Sequence, residues 1–386
     1  MVYLTKGDEM NKIIYLDNAA TTKMFDCVLE QTSKYLTDEF FNPSAVYSKS
    51  VMVKKEVEQA RASLMHSLGV DSGNLIFTGS ATEANNMIVF SQRNFANKKY
   101  LFGAGEHPSV MQCAMELEKR GYNVEYIPLD KTGSIDIEKY VNMLSKDVAF
   151  ISIQHVSNET GAINNIEKLV KMARKYNPEV LFHSDGVQAY MKFEYSLLNM
   201  DVDYYTISAH KIGGPKGIGA LYTKKGKKLN PLVFGGGQEF GLRSGTENVF
   251  AIKSFELCAK KMQEDRDRNF QIVASQRKNF LSSLDRSGIK YKVHGENGVP
   301  HTMNICLSDK VRGETLVHAL EAKNVFISTG SACSATKHFN STLQAMGINS
   351  DEILKSVRIS FSAYEQFDAE YIVQIIRDEL LKLEGK

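Results

Sequence analysis

Between about Leu75 and Thr223, short apolar runs alternate with segments in which apolar residues recur every three or four positions. The runs are nearly continuous, as expected for strands that are buried on both faces of a parallel sheet. They are NLIFTG, KYLFGAG, VEYIPL, VAFISIQHV, VLFHSD, YYTISAH and GALYT. The segments between them, such as SVMQCAMELEKRG and IEKLVKMARKYN, have the spacing of amphipathic helices. This alternation predicts an α/β fold with a mostly parallel sheet between layers of helices.

The pattern changes after Gly245, where a long charged stretch predicts one or two helices that lead into a second unit. Later runs predict further strands in KYKVHG, HTMNICL, NVFIST and SVRISFS, and an amphipathic segment from Ala369 predicts a final helix. We therefore predict a large domain over residues 17–260. A smaller α+β domain is predicted from residues 1–16 and 261–386.

Composition narrows the class of protein. The chain has 386 residues, 43% hydrophobic and 24% charged, with a formal net charge of +2, which argues against binding a polyanion such as nucleic acid. No apolar run approaches the length of a membrane span, and the first residues lack the apolar core of a secretory signal. Five scattered cysteines without a C-x-x-C pair are typical of a reducing compartment. We expect a cytoplasmic protein without a metal site.

Polar, reactive residues follow the predicted strands at their carboxyl ends, where open α/β sheets gather their ligand sites. They are residues 78–82, Glu106 and His107, Asn158 and Glu159, Asp185, and residues 208–211. The sheet should bring these positions to one edge.

Lys211 stands where a buried strand gives way to a loop rich in glycine, in YYTISAHKIGGPKGIGALYT. Most single lysines at a strand end simply extend their amine to water. The alternative is a lysine that forms a Schiff base, which needs a neutral amine near pH 7 and hence a lowered pKa. Neither a Walker A loop nor G-x-G-x-x-G is present here, so a nucleotide site is weakly supported.

Other candidates have an ordinary structural interpretation beside a functional one. Asp185 is either a turn aspartate or the carboxylate that pairs with a pyridinium nitrogen. The helix that opens at Thr82 and Glu83 is either well capped or an anion site. His107 is either a surface imidazole or a plate stacked on a ring. Cys333 lies among small polar residues in STGSACSATKHFNS, which is typical of a reactive thiol, whereas the other four cysteines lie in apolar segments.

Ten motifs in order carry a resemblance over nearly the whole chain. They are YLDNAATT, FFNPSA, TGSATEANN, EHPSV, HVSNETG, HSDGVQ, SAHKIGGPKG, RSGTEN, GSAC and VRISFS. In these motifs the chain resembles the cysteine desulfurases, enzymes of the class V aminotransferase fold that use pyridoxal 5'-phosphate. The resemblance implies the fold type I architecture of such transferases.

The resemblance also implies roles for individual residues. The residues implied to contact the cofactor are Ala81, Thr82, His107, Asn158, Asp185, Gln188, Ser208, Ala209, His210, Lys211 and Thr246. Among them, Lys211 would hold the cofactor aldehyde, Asp185 and Gln188 the ring nitrogen and hydroxyl, and His107 would stack on the ring. Ala81, Thr82, Ser208 and His210 would hold the phosphate.

Three further implications concern the substrate and partners. Asn158 and Arg358 would bind the substrate carboxylate, and Cys333 would form the persulfide. Lys211, Cys333 and His107 would be the catalytic residues. Thr246 would reach the phosphate of a neighbouring subunit, so a homodimer is expected.

The activity implied is conversion of L-cysteine to L-alanine, with sulfur passed through Cys333 to an acceptor protein for iron–sulfur cluster, thio-cofactor or tRNA biosynthesis. Two alternatives within the same fold are a selenocysteine lyase and an aminotransferase. An alternative of another class is a scaffold without catalysis that keeps the fold. The presence of Lys211, Asp185 and Cys333 together argues against the scaffold.

Overall fold

The computed structural model describes residues 13–91, 98–295, 298–330 and 342–385. A seven-stranded sheet forms its centre, in the order β2-β8-β7-β6-β5-β3-β4. Its strands are β2 (Asn74–Thr78), β3 (Lys99–Gly103), β4 (Asn123–Ile127), β5 (Val148–Ser152), β6 (Leu181–Asp185), β7 (Tyr204–Ser208) and β8 (Gly219–Thr223). Only β8 runs antiparallel to its neighbours β2 and β7. The mostly parallel sheet predicted from the apolar runs is confirmed.

Two smaller sheets lie in the terminal parts of the chain. Strand β1 (Ile14–Tyr15) pairs in parallel with β11 (Val325–Phe326). Strands β9 (Lys292–His294), β10 (Thr302–Cys306) and β12 (Ser356–Ser360) form an antiparallel sheet in the order β12-β10-β9. The four later runs predicted as strands therefore all contain strands.

The helices of the first part of the chain surround the large sheet. They are α1 (Asp26–Thr32), α2 (Lys34–Thr37), α3 (Ser48–Ser67), α4 (Ala81–Ser91), α5 (Pro108–Lys119), α6 (Ile137–Met143), α7 (Ile166–Tyr176) and α8 (Leu197–Met200). The helices that follow are α9 (Val249–Glu264), α10 (Arg266–Ser287), α11 (Gly313–Glu321), α12 (Thr342–Ala345), α13 (Ser350–Lys355) and α14 (Ala369–Leu383). The charged stretch after Gly245 is thus two helices, divided at Asp265. No helix among the described residues is long and apolar enough to cross a membrane.

Helix α7 shows how the sequence pattern produces an element. The side chain of Asn165 caps it by accepting a hydrogen bond from the Lys168 amide. Its buried residues are Ile166, Leu169, Val170 and Ala173. Because this spacing places them on one face, they pack on the sheet while the charged residues between them face water.

The apolar core has two main parts. One large cluster packs between the seven-stranded sheet and its helices. A second cluster contains Leu16 together with residues from Val273 to Leu380, around the three-stranded sheet. The division at residues 17–260 remains a proposal, although the second cluster combines Leu16 with the later part of the chain as that proposal requires. The carboxyl ends of β3, β5, β6 and β7 meet at one edge of the large sheet, and the candidate site lies there.

Candidate active site

A cavity of about 570 Å³ opens at this edge, a volume typical of small-molecule sites. Its lining combines residues that follow several strands with residues from distant parts of the chain. They include Ala19, Ala20, Ser80, Ala81, Thr82, His107, Ser109, Gln154, Asn158, Asp185, Gln188, His210, Lys211, Gly330 and Arg358. Nine of the residues that the sequence assigned to a site therefore line one cavity: Ala81, Thr82, His107, Asn158, Asp185, Gln188, His210, Lys211 and Arg358.

Lys211 ends a short 3₁₀ turn that begins directly after β7. Its Nζ donates hydrogen bonds to the carbonyl oxygens of Ala19 at 2.7 Å and Ala20 at 2.5 Å. Burial, together with the positive charge of Arg358, lowers the pKa of the amine to about 8. At pH 7 about a tenth of this lysine is therefore the neutral nucleophile, against less than about 0.1% for a lysine in water.

Asp185 is the last residue of β6 and is 7% exposed. Its Oδ2 accepts a hydrogen bond from Asn85 Nδ2 at 2.8 Å, and its Oδ1 accepts one from the Val187 amide at 3.0 Å. These two donors hold the carboxylate in a fixed orientation at the cavity wall. A carboxylate held there is suited to pair with a protonated ring nitrogen.

His107 is the N-cap residue of α5 and faces the cavity. Its Nδ1 accepts a hydrogen bond from the Ser109 amide at 3.2 Å and lies 2.8 Å from Ser109 Oγ. Desolvation lowers the pKa of the imidazole, and the positive charges of Lys211 and Arg358 act in the same direction, although Asp185 opposes them. The ring is therefore mainly neutral near pH 7.

The N-terminus of α4 opens into the same cavity through Ala81 and Thr82. In the part of the chain that the structure describes, the amides of these two residues have no hydrogen-bond partner. A Cβ at Gly219 would lie 2.7 Å from the Ala81 nitrogen, so only glycine permits this approach of β8. Free amides at the positive end of a helix form an anion site.

Arg358 lies on β12 and reaches the cavity from the opposite side. Its Nη2 donates to Asp17 Oδ1 at 2.7 Å, and its Nη1 donates to the Asn158 carbonyl oxygen at 3.1 Å. Its Nε is buried, and no partner for it lies within the described ranges. The guanidinium is thus oriented by the protein but retains capacity to donate to an anionic ligand.

Gln188 is fixed by two hydrogen bonds. Its Nε2 donates to the Ala19 carbonyl oxygen at 2.9 Å, and its Oε1 accepts from Lys192 Nζ at 2.7 Å. Burial, together with the positive charges of Lys211 and Arg358, lowers the pKa of Lys192 to about 7. Lys192 and the Ala19 carbonyl oxygen together fix the orientation of the Gln188 amide.

A buried carboxyl, Glu106, lies behind Asp185. Its Oε1 accepts a hydrogen bond from the Gln154 amide, and burial raises its pKa well above the usual range, with the charge of Asp185 adding to the effect. Glu106 consequently keeps a proton to higher pH, so that Asp185 faces a neutral neighbour.

Comparison with known proteins shows the family of the chain. The model of the aminotransferase class-V family matches residues 14–369. The protein named cysteine desulfurase IscS of Dictyoglomus turgidum is 33% identical over 385 residues, which cover 97% of this chain and 96% of that protein. A NifS/IcsS protein homolog of Lactobacillus delbrueckii is 37% identical over 360 residues, 90% of this chain and 92% of its own.

The chain belongs to the cysteine desulfurase family.

Solved structures support the same family assignment. A NifS-like protein superimposes with a TM-score of 0.89 at 30% identity, covering 96% of this chain and 99% of that one. A NifS-like protein from Rickettsia africae superimposes with a TM-score of 0.85 at 28% identity, covering 97% and 100%. The resemblance inferred from the ten motifs is confirmed, as is the predicted fold of this family.

Three residues that the family resemblance assigned to the site, Ser208, Ala209 and Thr246, are not among the residues that line the cavity. Ser208 and Ala209 are buried between β7 and the 3₁₀ turn, where Ser208 Oγ donates to the Ile218 carbonyl oxygen at 3.4 Å. Thr246 lines a separate cavity together with Gly217 and Arg243. Cys333 lies outside the described residues. The roles assigned to these four residues therefore stay predictions.

The structure adds residues to this desulfurase site that the sequence did not single out. They are Asp17, Asn85, Ser109, Gln154 and Lys192. Asp17, Asn85 and Ser109 occur within the motifs YLDNAATT, TGSATEANN and EHPSV, so the signal was their presence beside assigned residues. Lys192 follows Gln188 by four residues, but nothing in the sequence separates it from a surface lysine.

Proposed function

We propose that this cavity binds pyridoxal 5'-phosphate and that the chain converts L-cysteine to L-alanine, with the sulfur transferred to Cys333. One observation carries the proposal: Lys211, Asp185, His107 and Arg358 come from four different elements and line a single cavity. Such a cofactor and an amino acid substrate require four groups: an amine with a lowered pKa, a fixed carboxylate, an aromatic ring that can stack, and a cation.

The donor set of the cavity fits the cofactor. Lys211 would hold the aldehyde, Asp185 the ring nitrogen and Gln188 the ring hydroxyl. The free amides of Ala81 and Thr82 would donate hydrogen bonds to the phosphate at the helix N-terminus. Bound there, the cofactor supplies an aldehyde that joins amines and a ring that accepts the electron pair released at the substrate Cα.

Lys211 has two tasks in this scheme. Its neutral amine is the nucleophile that holds the cofactor, and once a substrate amine displaces it, the same amine can remove the Cα proton as a general base. A pKa of about 8 suits both tasks near neutral pH. His107, held at the cavity wall by Ser109, is the second group that can carry a proton at its ring nitrogen.

Arg358 would bind the substrate carboxylate. Its guanidinium is held by Asp17 and by the Asn158 carbonyl oxygen, while Nη1 and Nη2 each keep a second hydrogen to donate. A rigid cation with a free donor orients an amino acid by its carboxylate, and the amine is then directed toward Lys211.

Cys333 would take the sulfur. In the sequence, Cys333 follows Gly330, a described residue that lines the cavity, by three positions. The thiolate attacks the substrate sulfur, the Cβ–S bond breaks with its electron pair on Cβ, and Cβ takes up a proton. The products are L-alanine and a persulfide at Cys333.

The working unit would be a homodimer in which Thr246 completes the phosphate site of the partner subunit. In support, Thr246 lies outside the cavity of its own chain. Apolar side chains are exposed on the preceding segment, with Phe234 80% and Phe240 55% exposed. Exposed apolar surface of this kind is typical of an interface.

The persulfide would pass its sulfur to an acceptor protein in the cytoplasm, for iron–sulfur cluster, thio-cofactor or tRNA biosynthesis. In support, Cys27, Cys113, Cys258 and Cys306 are free thiols, as expected in a reducing compartment. Relatives that carry the name cysteine desulfurase IscS support the desulfurase activity that would form the persulfide.

The test combines cofactor attachment with product analysis. Borohydride reduction of the protein loaded with pyridoxal 5'-phosphate should fix the cofactor to the peptide that contains Lys211. Incubation with L-cysteine should yield alanine and sulfide in equal amounts when a reductant is present. Lys211→Ala should abolish both products, whereas Lys216→Ala, five residues on, should keep them. Attachment at another lysine, or cysteine left unchanged by the loaded protein, contradicts the proposal.

A further inference from the structure

Four polar side chains form a continuous hydrogen-bonded chain along one wall of the cavity. Asn85 Nδ2 donates to Asp185 Oδ2 at 2.8 Å and to Ser109 Oγ at 2.8 Å. Ser109 Oγ in turn lies 2.8 Å from His107 Nδ1. Asn85 is 0% exposed and Ser109 is 8% exposed, so water does not compete for these contacts. The two outer members are the groups assigned to the ring nitrogen and to the ring face.

The carboxylate of Asp185 sets the orientation of the Asn85 amide. If the amide were turned over, its oxygen would face the carboxylate oxygen at 2.8 Å, two acceptors without a hydrogen between them. The nitrogen must therefore point toward Asp185, and both of its hydrogens are used. This orientation leaves Asn85 Oδ1 buried without a partner in the described part of the chain. The protein therefore forms this network although it leaves one buried oxygen unpaired.

The orientation of the Asn85 amide also fixes the direction of the hydrogen bond between Ser109 and His107. Because Ser109 Oγ accepts a hydrogen from Asn85, its own hydrogen is available for His107 Nδ1. The Ser109 amide also donates to Nδ1, at 3.2 Å. A nitrogen that accepts two hydrogen bonds carries a lone pair, so the neutral imidazole must carry its hydrogen on Nε2.

We propose that Asn85 and Ser109 are positioning residues that transmit the orientation of the Asp185 carboxylate to His107 and fix its Nε2–H tautomer. His107 then presents a hydrogen-bond donor, rather than an acceptor, to the cavity. The use of that donor rests on the proposed function, since an acceptor atom of the bound cofactor or substrate would receive it. The tautomer itself is a property of the protein alone.

The charged groups around His107 keep the imidazole in its neutral protonation state, in which the two tautomers differ. Asp185, Lys211 and Arg358 all act on the ring, and the two cations together with desolvation outweigh the carboxylate, so the pKa is lowered. At pH 8 the ring is neutral, and its two nitrogens are distinguishable.

The test is the tautomeric state of His107, measured by long-range ¹H–¹⁵N NMR correlations on protein labelled with ¹⁵N-histidine and loaded with pyridoxal 5'-phosphate, at pH 8. A His107→Gln variant assigns the signal. The parent protein should show the Nε2–H form. Ser109→Ala removes the hydroxyl donor but keeps the amide, and should raise the Nδ1–H fraction roughly three- to tenfold, the effect of one hydrogen bond.

Two further variants separate positioning from a general disturbance. Asn85→Leu keeps the side-chain shape but removes the donor, so the Ser109 hydroxyl is free to accept a hydrogen bond from Nδ1 and the Nδ1–H fraction should rise. Ser109→Thr keeps a hydroxyl and should retain the Nε2–H form. Signals of His155 and His183, which are bonded to Tyr205 and Ser152, report whether the fold is intact.

Two results would overturn the proposal: an Nδ1–H tautomer in the parent protein, or an unchanged tautomer ratio in both Ser109→Ala and Asn85→Leu. A failure of the proposed function looks different. The protein would then take up no pyridoxal 5'-phosphate and show no visible absorption, while the same tautomer measurement on the cofactor-free protein would still give its result.

Discussion

Arg358 donates a hydrogen bond to Asp17 at 2.7 Å, although the two residues are 341 positions apart in the chain. Strand β12 supplies the arginine, and the segment that follows β1 supplies the aspartate. Asp17 thereby determines how the guanidinium faces the cavity. The pair also links the early residues of the chain to its last sheet at the point where a substrate carboxylate would bind.

Replacing Asp17 with Asn should weaken substrate binding more than turnover. The guanidinium would lose its charged partner and with it a fixed orientation, so the KM for L-cysteine should rise about tenfold, or roughly 1.4 kcal/mol, with a smaller change in kcat. Steady-state kinetics of alanine formation measures both constants. Asp26→Asn is the matched control because its exposed pair with Lys23 should contribute almost nothing. An unchanged KM in Asp17→Asn would contradict this role.

Lys192→Met should weaken cofactor binding. Without the amine, Gln188 Oε1 loses its donor and only the hydrogen bond from Nε2 to the Ala19 carbonyl oxygen holds the amide, which costs about 1 kcal/mol, or roughly fivefold in the dissociation constant. Titration of cofactor-free protein with pyridoxal 5'-phosphate, followed by absorbance, measures the constant. The exposed Lys23→Met serves as control. Equal affinities for Lys192→Met and the parent protein would show that Gln188 does not depend on Lys192.

The rate of cofactor capture should depend on pH in a defined direction. Only the neutral amine of Lys211 reacts, and with a pKa of about 8 it is protonated progressively as the pH falls below 8. The capture rate should therefore drop about tenfold per pH unit below that value and level off above it. Stopped-flow mixing of cofactor-free protein with pyridoxal 5'-phosphate between pH 6.5 and 10 measures the profile. A rate that still rises toward 10.5, the ordinary pKa of lysine, would mean that the amine is not perturbed.

Mixed dimers test the contribution of Thr246 to the partner subunit. A Lys211→Ala chain paired with a Thr246→Ala chain has one composite site with both residues and one site that lacks both. After random mixing, about a quarter of all sites should be intact, and activity at limiting cofactor should recover to that level from two nearly inactive parents. If Thr246 acts within its own chain, every mixed site carries one defect and the mixture regains nothing.

The sequence predicted those parts of the site that follow from local pattern. Lys211 and Asp185 were placed because each directly follows a run of buried strand residues, and parallel strands end at one edge. Asp17 and Asn85 were not placed, because their roles depend on the fold bringing them to Arg358 and Asp185. Lys192 was missed for a similar reason: its burial, which gives it a lowered pKa, is a tertiary property that its neighbours in sequence do not reveal.

The central claim, that Cys333 takes sulfur directly from bound L-cysteine at the Lys211 site, is tested most directly by measuring alanine released by a Cys333→Ser variant loaded with pyridoxal 5'-phosphate. Serine cannot accept the sulfur, so the variant should still change its absorption spectrum when cysteine binds, yet release almost no alanine and form no persulfide. Cys27→Ser, which alters an exposed thiol, should behave as the parent protein. Alanine released by Cys333→Ser at the parent rate would contradict the claim.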